Sequence, residues 1–170
     1  MQRILTSSKD TYITNKIINN SFRATDANTG EAGTLDLFKL YNENIITGET
    51  NPIEMSRLLI KFPIAEIRKM DQDKLIDIDS PSFKAYVKLS DVYGGQTTPS
   101  NFSMSLFPLS QSFDEGRGLD IVSFSDLDAT NYITASIQSG QAVEWNLPGA
   151  QASGSYLTSV GTSKKVKKDD

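Results

Sequence analysis

Residues 82–116 read SFKAYVKLSDVYGGQTTPSNFSMSLFPLSQSFDEG, and this stretch decides the fold that the sequence predicts. Residues 83–89 carry an apolar side chain at every second position, which is the period of a β-strand that buries one face. Residues 91–101 then collect Asp, Gly, Pro, Ser and Asn, which favour turns. A second alternation follows at 102–107. The stretch therefore predicts a long β-hairpin with a turn-rich tip.

Strand-like runs separated by turn signals continue on both sides of this hairpin. Residues 55–62 (MSRLLIKF) alternate and end before Pro63, and residues 142–147 (AVEWNL) end before Pro148. Residues 64–70 (IAEIRKM) predict one or two helical turns. Many short strands and little helix predict an all-β fold, a jelly-roll-like β-sandwich with one or two short helices.

The same alternation predicts which side chains face the core. Lys84 and Lys88 are expected on the solvent face of the hairpin. The residues expected to be mostly buried are Leu58, Ile60, Phe62, Phe83, Ala85, Val87, Met104 and Leu106.

The chain of 170 residues is long enough for one domain with an appendage. Residues 1–150 are predicted to form the sandwich domain. Residues 151–170 are predicted to form an extension, first of small and polar residues and then of charged ones, KKVKKDD. A solvated tail is the expected state of that charged end.

The composition of the chain argues against several classes of function. The net charge of −4 argues against a nucleic-acid binder, which needs a basic face. The chain has no Cys and no His, which removes thiolate chemistry and the commonest general base and metal ligand. No apolar run approaches membrane-spanning length, and the start, MQRILTSSKD, does not look like a signal peptide, so neither membrane insertion nor signal-directed export is expected.

No catalytic triad, metal-ligand set or phosphate loop is recognisable, so the chain is not expected to be an enzyme. The acidic pair Asp114 and Glu115 is the one candidate for glycoside hydrolysis. Neighbouring residues on an extended chain point to opposite faces, so these two carboxylates are not expected to converge.

Several motifs, in order, resemble those of the DNRLRE-type jelly-roll modules. They are SKDTYITN at 8–15, ANTGEAGTLDLFKL at 27–40, SRLLIKF at 56–62, SFKAYVKL at 82–89, FDEG at 113–116 and EWNLPGA at 144–150. The resemblance implies a jelly-roll sandwich of the kind seen in polysaccharide-binding modules and surface proteins. The Asn-rich loops also resemble those of marine tailed-phage virion proteins, which implies a virion location after synthesis in the host cytoplasm.

Three features depart from that family pattern. Phe113 stands where the family tends to have Trp, and residues 118–143 form a longer segment than usual. Nothing after Ala150 supplies the further strands of the family. The sandwich is therefore expected to be incomplete in this chain. Either a neighbouring subunit or further residues of a longer protein are expected to complete it at its open strand edges.

The resemblance also directs attention to ligand sites. Jelly-roll modules often bind a structural Ca²⁺ ion, and Asp10, Asp26, Glu31 and Asp36 offer the carboxylate oxygens that calcium prefers. Solvated loop acids are the alternative interpretation of these four residues, and no other cofactor is expected. Tyr86 and Tyr93, on or beside the polar face of the hairpin, are the candidates for stacking on a sugar ring. Trp145 is expected in the core, by analogy with the family.

Two functions remain open at this point. The first is a non-enzymatic structural component of a tailed-phage virion, in the head, neck, tail or fibre, with other virion proteins and copies of itself as partners. The second is a carbohydrate-binding module or adhesin domain that recognises host surface polysaccharide. The two are compatible, because phage appendages often touch host glycans.

Overall fold

The computed structural model describes residues 2–42, 50–90, 92, 103–123, 129–151 and 162–165. The regular structure of these residues is mostly β-strand, with a single short helix. The strands pair antiparallel wherever their register is described. The predicted all-β class is confirmed, and closure of the sheets into a jelly-roll sandwich stays a prediction.

The elements follow one another along the chain in a simple order. They are β1 (Lys9–Thr14), β2 (Ile17–Ile18), β3 (Phe22–Arg23), β4 (Lys39–Tyr41), β5 (Ile53–Lys61), α1 (Ala65–Gln72), β6 (Ser103–Leu106), β7 (Thr134–Gln138), β8 (Gln141–Glu144) and β9 (Thr162–Lys165).

The largest described sheet has three strands in the order β1-β5-β4. Strand β5 is the predicted run at 55–62, and it lies in the middle. In the β4–β5 ladder, Leu40 pairs with Glu54 and Tyr41 with Ile53. Strand β4 therefore forms an edge of this sheet.

Two tight hairpins use residues with positive φ. Asn19 and Asn20, with φ of 50° and 52°, connect β2 to β3. Ser139 and Gly140, with φ of 51° and 76°, connect β7 to β8. Two consecutive positive φ values match the right-handed twist of a hairpin, and Asn and Gly adopt them at the lowest cost.

Helix α1 confirms the helical turns predicted for residues 64–70. It follows Pro63, which cannot extend the preceding ladder, and it ends before Lys74, whose φ of 57° is left-handed. Met70 is its buried residue. Across the described part of the chain, no helix has the length and apolar character needed to cross a membrane.

The apolar core is small. Ile13, Leu59, Phe113, Ala135 and Trp145 form the main cluster, and Ala150 packs against it. A second cluster contains Ile18, Ala24 and Ala27, with Ile121 packed against them. Buried polar side chains are about as frequent as buried apolar ones among the described residues. Hydrogen bonds to those polar groups therefore carry an unusual share of the structure's specificity.

The long hairpin predicted for 82–116 is wrong. Residues 83–90 are exposed and form no strand in the described structure. Strand β6, the second half of the expected hairpin, pairs instead with β9, Ser105 opposite Ser163. Lys164 and Lys165, the first two residues of the charged end expected to form a solvated tail, lie in β9. A period-two pattern specifies an extended conformation but not which strand will pair with it.

The predicted buried set is mostly wrong as well. The side chains of Phe83, Ala85, Val87 and Leu106 are exposed, and those of Leu58, Ile60, Phe62 and Met104 are only half-buried. The core position in β5 is taken by Leu59 instead. Lys84 and Lys88 are exposed as predicted, although the apolar residues between them are exposed too.

The chain divides into two compact units. One contains Met1–Lys9 and Ile60–Gln96, including α1. The other contains Asp10–Leu59 and Thr97–Asp170, including both apolar clusters. The predicted boundary between residues 150 and 151 stays a prediction.

Two buried serines give a matched test of the polar interior. The Ser136 hydroxyl on β7 is buried and has no hydrogen-bond partner among the described residues, whereas the Ser56 hydroxyl on β5 donates to Asp36 O (2.6 Å) and accepts from Phe38 N (2.9 Å). Ser136→Ala is expected to raise the free energy of unfolding by about 1 kcal/mol, and Ser56→Ala to lower it by about 1–3 kcal/mol. Urea denaturation measures both, and equal losses for the two variants would contradict the assignment.

Candidate functional site

The side chain of Asn28 joins two loops that are far apart in sequence. Its Nδ2 donates to Glu115 O and to Thr130 O, both at 2.8 Å. Its Oδ1 accepts from Gly30 N at 3.1 Å and from Gly118 N at 2.8 Å. Asn28 is fully buried, and these four bonds use the whole hydrogen-bonding capacity of the amide. Residues 27–31 and 113–118 are called the interlocked loops below.

Glycines allow the interlocked loops to approach so closely. A Cβ atom at Gly30 would overlap the Glu115 carbonyl, and one at Gly118 would overlap the Asn28 carbonyl. Gly116 has a φ of 77°, and a Cβ there would overlap the Asn28 side chain. Only Gly is well tolerated where another backbone segment comes very close to the Cα atom, or where φ is left-handed.

The interlocked loops also cover backbone groups of β1. Thr29 Oγ1 donates to Tyr12 O (2.7 Å) and accepts from Tyr12 N (3.2 Å). Glu115 Oε1 accepts from Asp10 N at 2.7 Å. These side chains take the place of a neighbouring strand, so this part of β1 is not left open for pairing with another chain.

Asp114 and Glu115, the pair considered for glycoside hydrolysis, bind different strands. Asp114 Oδ2 accepts from Ile137 N on β7 at 3.0 Å, while the Glu115 carboxylate accepts from Asp10 N on β1. The Asp114 backbone N–H also donates to Ala135 O at 3.1 Å. The two carboxylates therefore help to hold the loop between two sheets.

Tyr12 lies beside two acids at the edge of the same region. Its side chain is 5% exposed. Burial, together with the nearby Asp36 and Asp120 carboxylates and a hydrogen bond to Asp36, raises the pKa of Tyr12 from 10.0 to about 12. The phenol is therefore held in its neutral form, as a hydrogen-bond donor to a carboxylate.

The four acids proposed for calcium are not brought together as a ligand set. Asp10 and Asp26 are half-buried, Glu31 and Asp36 are exposed, and Asp36 is the acid that bonds Tyr12. In the described ranges, no three acidic side chains are placed to hold a metal ion. Calcium binding stays a prediction, and the geometry of these residues does not support it.

Of the two candidate sugar-stacking residues, Tyr86 is 78% exposed, and Tyr93 lies outside the described residues. Tyr86 belongs to a segment without regular secondary structure, residues 83–89, that is called the exposed stretch below. Its apolar side chains Phe83, Val87 and Leu89 are exposed as well. Several exposed apolar side chains in one segment are typical of a surface that contacts another molecule.

A second apolar surface lies at the edge strand β4. Leu37, Leu40 and Tyr41 are all exposed, Tyr41 to 70%. Asn42 N donates to Pro52 O, and Ser56 N donates to Phe38 O, so the even-numbered residues direct their backbone groups towards β5. The N–H and C=O groups of Lys39 and Tyr41 therefore point away from the sheet, because bonding direction alternates along an antiparallel strand.

Sequence reasoning missed the role of Asn28. The signal that pointed to it is the pair of motifs ANTG and FDEGRG, each with glycines beside polar residues. The contact between the two motifs is a tertiary interaction, and neither motif predicts it by itself.

Gly140 and Gly116 have the same backbone conformation, so substituting each by Ala distinguishes the cost of backbone strain from the cost of steric overlap. Gly140 has a φ of 76° with open space around its Cα, whereas Gly116 has a φ of 77° and faces the Asn28 amide. Gly140→Ala is expected to cost about 1 kcal/mol of stability from backbone strain alone. Gly116→Ala is expected to cost at least about 3 kcal/mol, because it also disrupts buried hydrogen bonds. Chemical denaturation of both variants tests this, and similar losses would refute the overlap at Gly116.

The raised pKa of Tyr12 predicts a loss of stability at high pH. A folded-state pKa above the unfolded value stabilises the fold below pH 10, and this contribution disappears as the pH rises from 10 towards about 12. Between pH 9 and pH 11 the protein is expected to lose about 1 kcal/mol more stability than Tyr12→Phe does.

Urea denaturation at the two pH values measures this difference, and Tyr86→Phe, at an exposed position, serves as the control that should follow the parent protein. Parallel losses in the parent protein and Tyr12→Phe would show that Tyr12 does not titrate in this way.

No protein-family model, curated protein or solved structure matches this chain. The resemblance to DNRLRE-type modules is therefore carried by the motifs of the sequence alone and stays a prediction.

Proposed function

We propose that this protein is a non-enzymatic structural component of a tailed-bacteriophage virion that assembles through β-strand contacts. The observation that supports the assembly role is the exposed stretch at 83–89, a surface segment with the sequence pattern of a strand and several exposed apolar side chains. The virion setting is supported by the sequence resemblance and the Asn-rich loops. Copies of itself and other virion proteins are the proposed partners.

The hydrogen bonds made by two acidic side chains favour a structural role for the protein. The carboxylates of Asp114 and Glu115 accept hydrogen bonds from backbone N–H groups of two different strands. Asn28 uses all its bonding capacity within the fold. These polar groups stabilise the loops, which is what a particle subunit needs in order to present a constant surface to its neighbours.

The second candidate function is binding of host surface polysaccharide. One observation favours it: the ring of Tyr86 is 78% exposed and lies between Lys84 and Lys88. An exposed aromatic face offers apolar area for a sugar ring, and the flanking ammonium groups suit an anionic glycan. This function is compatible with a location on the virion.

The virion proposal predicts that the chain is a constituent of particles. Antibodies raised against the purified protein are expected to detect it in density-purified tailed-phage particles, at a constant ratio to the major capsid protein. Light scattering of the purified chain is expected to show self-association that increases with concentration. The chain's absence from purified particles would refute the virion role.

A glycan array tests the alternative separately. If polysaccharide binding is the function, the parent protein binds immobilised glycans as a monomer and Tyr86→Ala loses most of that binding. Tyr41→Ala is the matched control, since it removes a similarly exposed tyrosine elsewhere. Equal binding by both variants would exclude Tyr86 as the contact residue.

A further inference from the structure

We propose that residues 81–90 are a site of limited proteolysis by a lysine-specific, trypsin-like serine protease, and that the cut protein persists as two associated fragments. The peptide bonds concerned are those that follow Lys84 and Lys88. Two observations support this: the accessibility of the segment, and the contacts in the larger unit that join the chain before the cut to the chain after it. Neither observation depends on the proposed virion role.

Residues 81–90 are the longest continuous run of exposed residues in the described ranges. Residues 83–90 within it belong to no helix or strand there. A protease draws several consecutive residues into its cleft, so it cuts first where little regular structure has to open. Lys84 and Lys88 lie inside this run, and the specificity pocket of a trypsin-like protease accepts a lysine side chain.

Lys74 and Arg117 are also exposed and lie outside helices and strands, but the chain around them is held by hydrogen bonds. The Lys74 N–H donates to Asp71 O at 3.0 Å, at the end of α1. Arg117 lies beside Gly118, whose N–H donates to the buried Asn28 amide at 2.8 Å. Cleavage at either position requires these bonds to open first, so both bonds are expected to be cut more slowly than those after Lys84 and Lys88.

Each cleavage consumes one water molecule and needs no other co-reactant. The bond between the Lys84 carbonyl carbon and the Ala85 nitrogen breaks, or the corresponding bond between Lys88 and Leu89. The serine of the protease takes the lysine carbonyl as an acyl-enzyme, which water then hydrolyses. The water oxygen ends in the new lysine carboxylate, and its two protons end on the new ammonium group.

This cut removes the covalent connection between the two chain segments of the larger unit. That unit contains Asp10–Leu59 and Thr97–Asp170, and the cleaved bonds lie between these segments in sequence. After cleavage, the larger unit consists of two separate polypeptides. Its noncovalent contacts alone then determine whether the polypeptides stay together.

Hydrogen bonds join the two segments at several places. Asn28, in the first segment, bonds to the loop at 113–118 and to Thr130, both in the second. Further bonds across the cut are those from Asp10 N to Glu115 Oε1, from Glu31 N to Gly118 O, from Tyr132 N to Thr25 O and from Arg57 Nη1 to Gly149 O. The interlocked loops therefore connect the two fragments directly.

The apolar core is shared between the segments as well. The main cluster takes Ile13 and Leu59 from the first segment and Phe113, Ala135 and Trp145 from the second. Separation of the fragments would expose these side chains and leave buried polar groups without partners. Both costs oppose dissociation, so the two fragments are expected to remain associated at roughly micromolar concentration.

Limited digestion with trypsin, followed by intact-mass spectrometry, tests the cleavage sites. Within residues 10–150, the first cut is expected after Lys84 or Lys88. The double variant Lys84→Gln, Lys88→Gln is expected to lose this cut by at least about tenfold in rate. Lys74→Gln, at another exposed lysine, is the matched control and is expected to leave the rate unchanged. Circular dichroism checks that each variant is folded.

Size-exclusion chromatography of the digested parent protein tests whether the fragments stay associated. Both fragments are expected to elute together at the volume of the uncut protein, and a denaturing gel of that peak is expected to show two bands. The same column run in concentrated urea is expected to separate them, because only noncovalent contacts join them.

A first cut after Lys74 or Arg117 overturns the proposed site, as does an unchanged rate in the double variant. A parent protein that trypsin leaves intact within residues 10–150 overturns it too. Fragments that elute apart in native buffer overturn the proposed two-fragment complex.

Discussion

The buried amide of Asn28 is the interaction on which the larger unit of this protein depends. Its four hydrogen bonds hold the loop at 27–31 against the loop at 113–118. Through Thr29 and Glu115, the same loops cover the backbone of β1. Removing the amide would leave several buried donors and acceptors without partners, each costing on the order of 1–3 kcal/mol.

This dependence follows from the small apolar core. The main cluster contains one tryptophan and one phenylalanine, and alanine occupies several of the remaining core positions. Hydrophobic burial is non-directional, so a small core of this kind does not by itself define one arrangement of short strands. A saturated polar network does, because each bond is satisfied in only one geometry. The indole N–H of Trp145 belongs to this pattern, since it donates to Asn131 O at 3.0 Å.

Local features of this fold could be predicted from the sequence, but the pairing of its strands could not. Strand β5, helix α1 and the buried Trp145 all follow from short-range pattern or motif resemblance. The core residue of β5 was predicted wrongly because Leu58, Leu59 and Ile60 are all apolar. Alternation along the strand therefore does not show which of the three faces the core.

The wrong prediction of a hairpin at 82–116 has a different cause. The pattern at 83–89 is a good strand pattern, yet its partner is not encoded within the segment, so adjacency in sequence suggested the wrong hairpin. Asn28 was missed for a related reason. An asparagine in a turn is usually solvated, and only the approach of a second, distant turn makes it the centre of a buried network.

The sequence separation of the Asn28 contacts has a consequence for how the protein folds. The bonds from this side chain reach residues 87, 90 and 102 positions away. Contacts of such separation are slow to form, because the entropy of closing a long loop is lost before the contact is made. During synthesis, the Asp10 N–H cannot bind the Glu115 carboxylate, and Asn28 cannot complete its four bonds, until the chain has been translated beyond residue 130. The nascent chain therefore passes through a long interval in which the interlocked loops are not yet held together, and chaperone protection during that interval would favour the native fold.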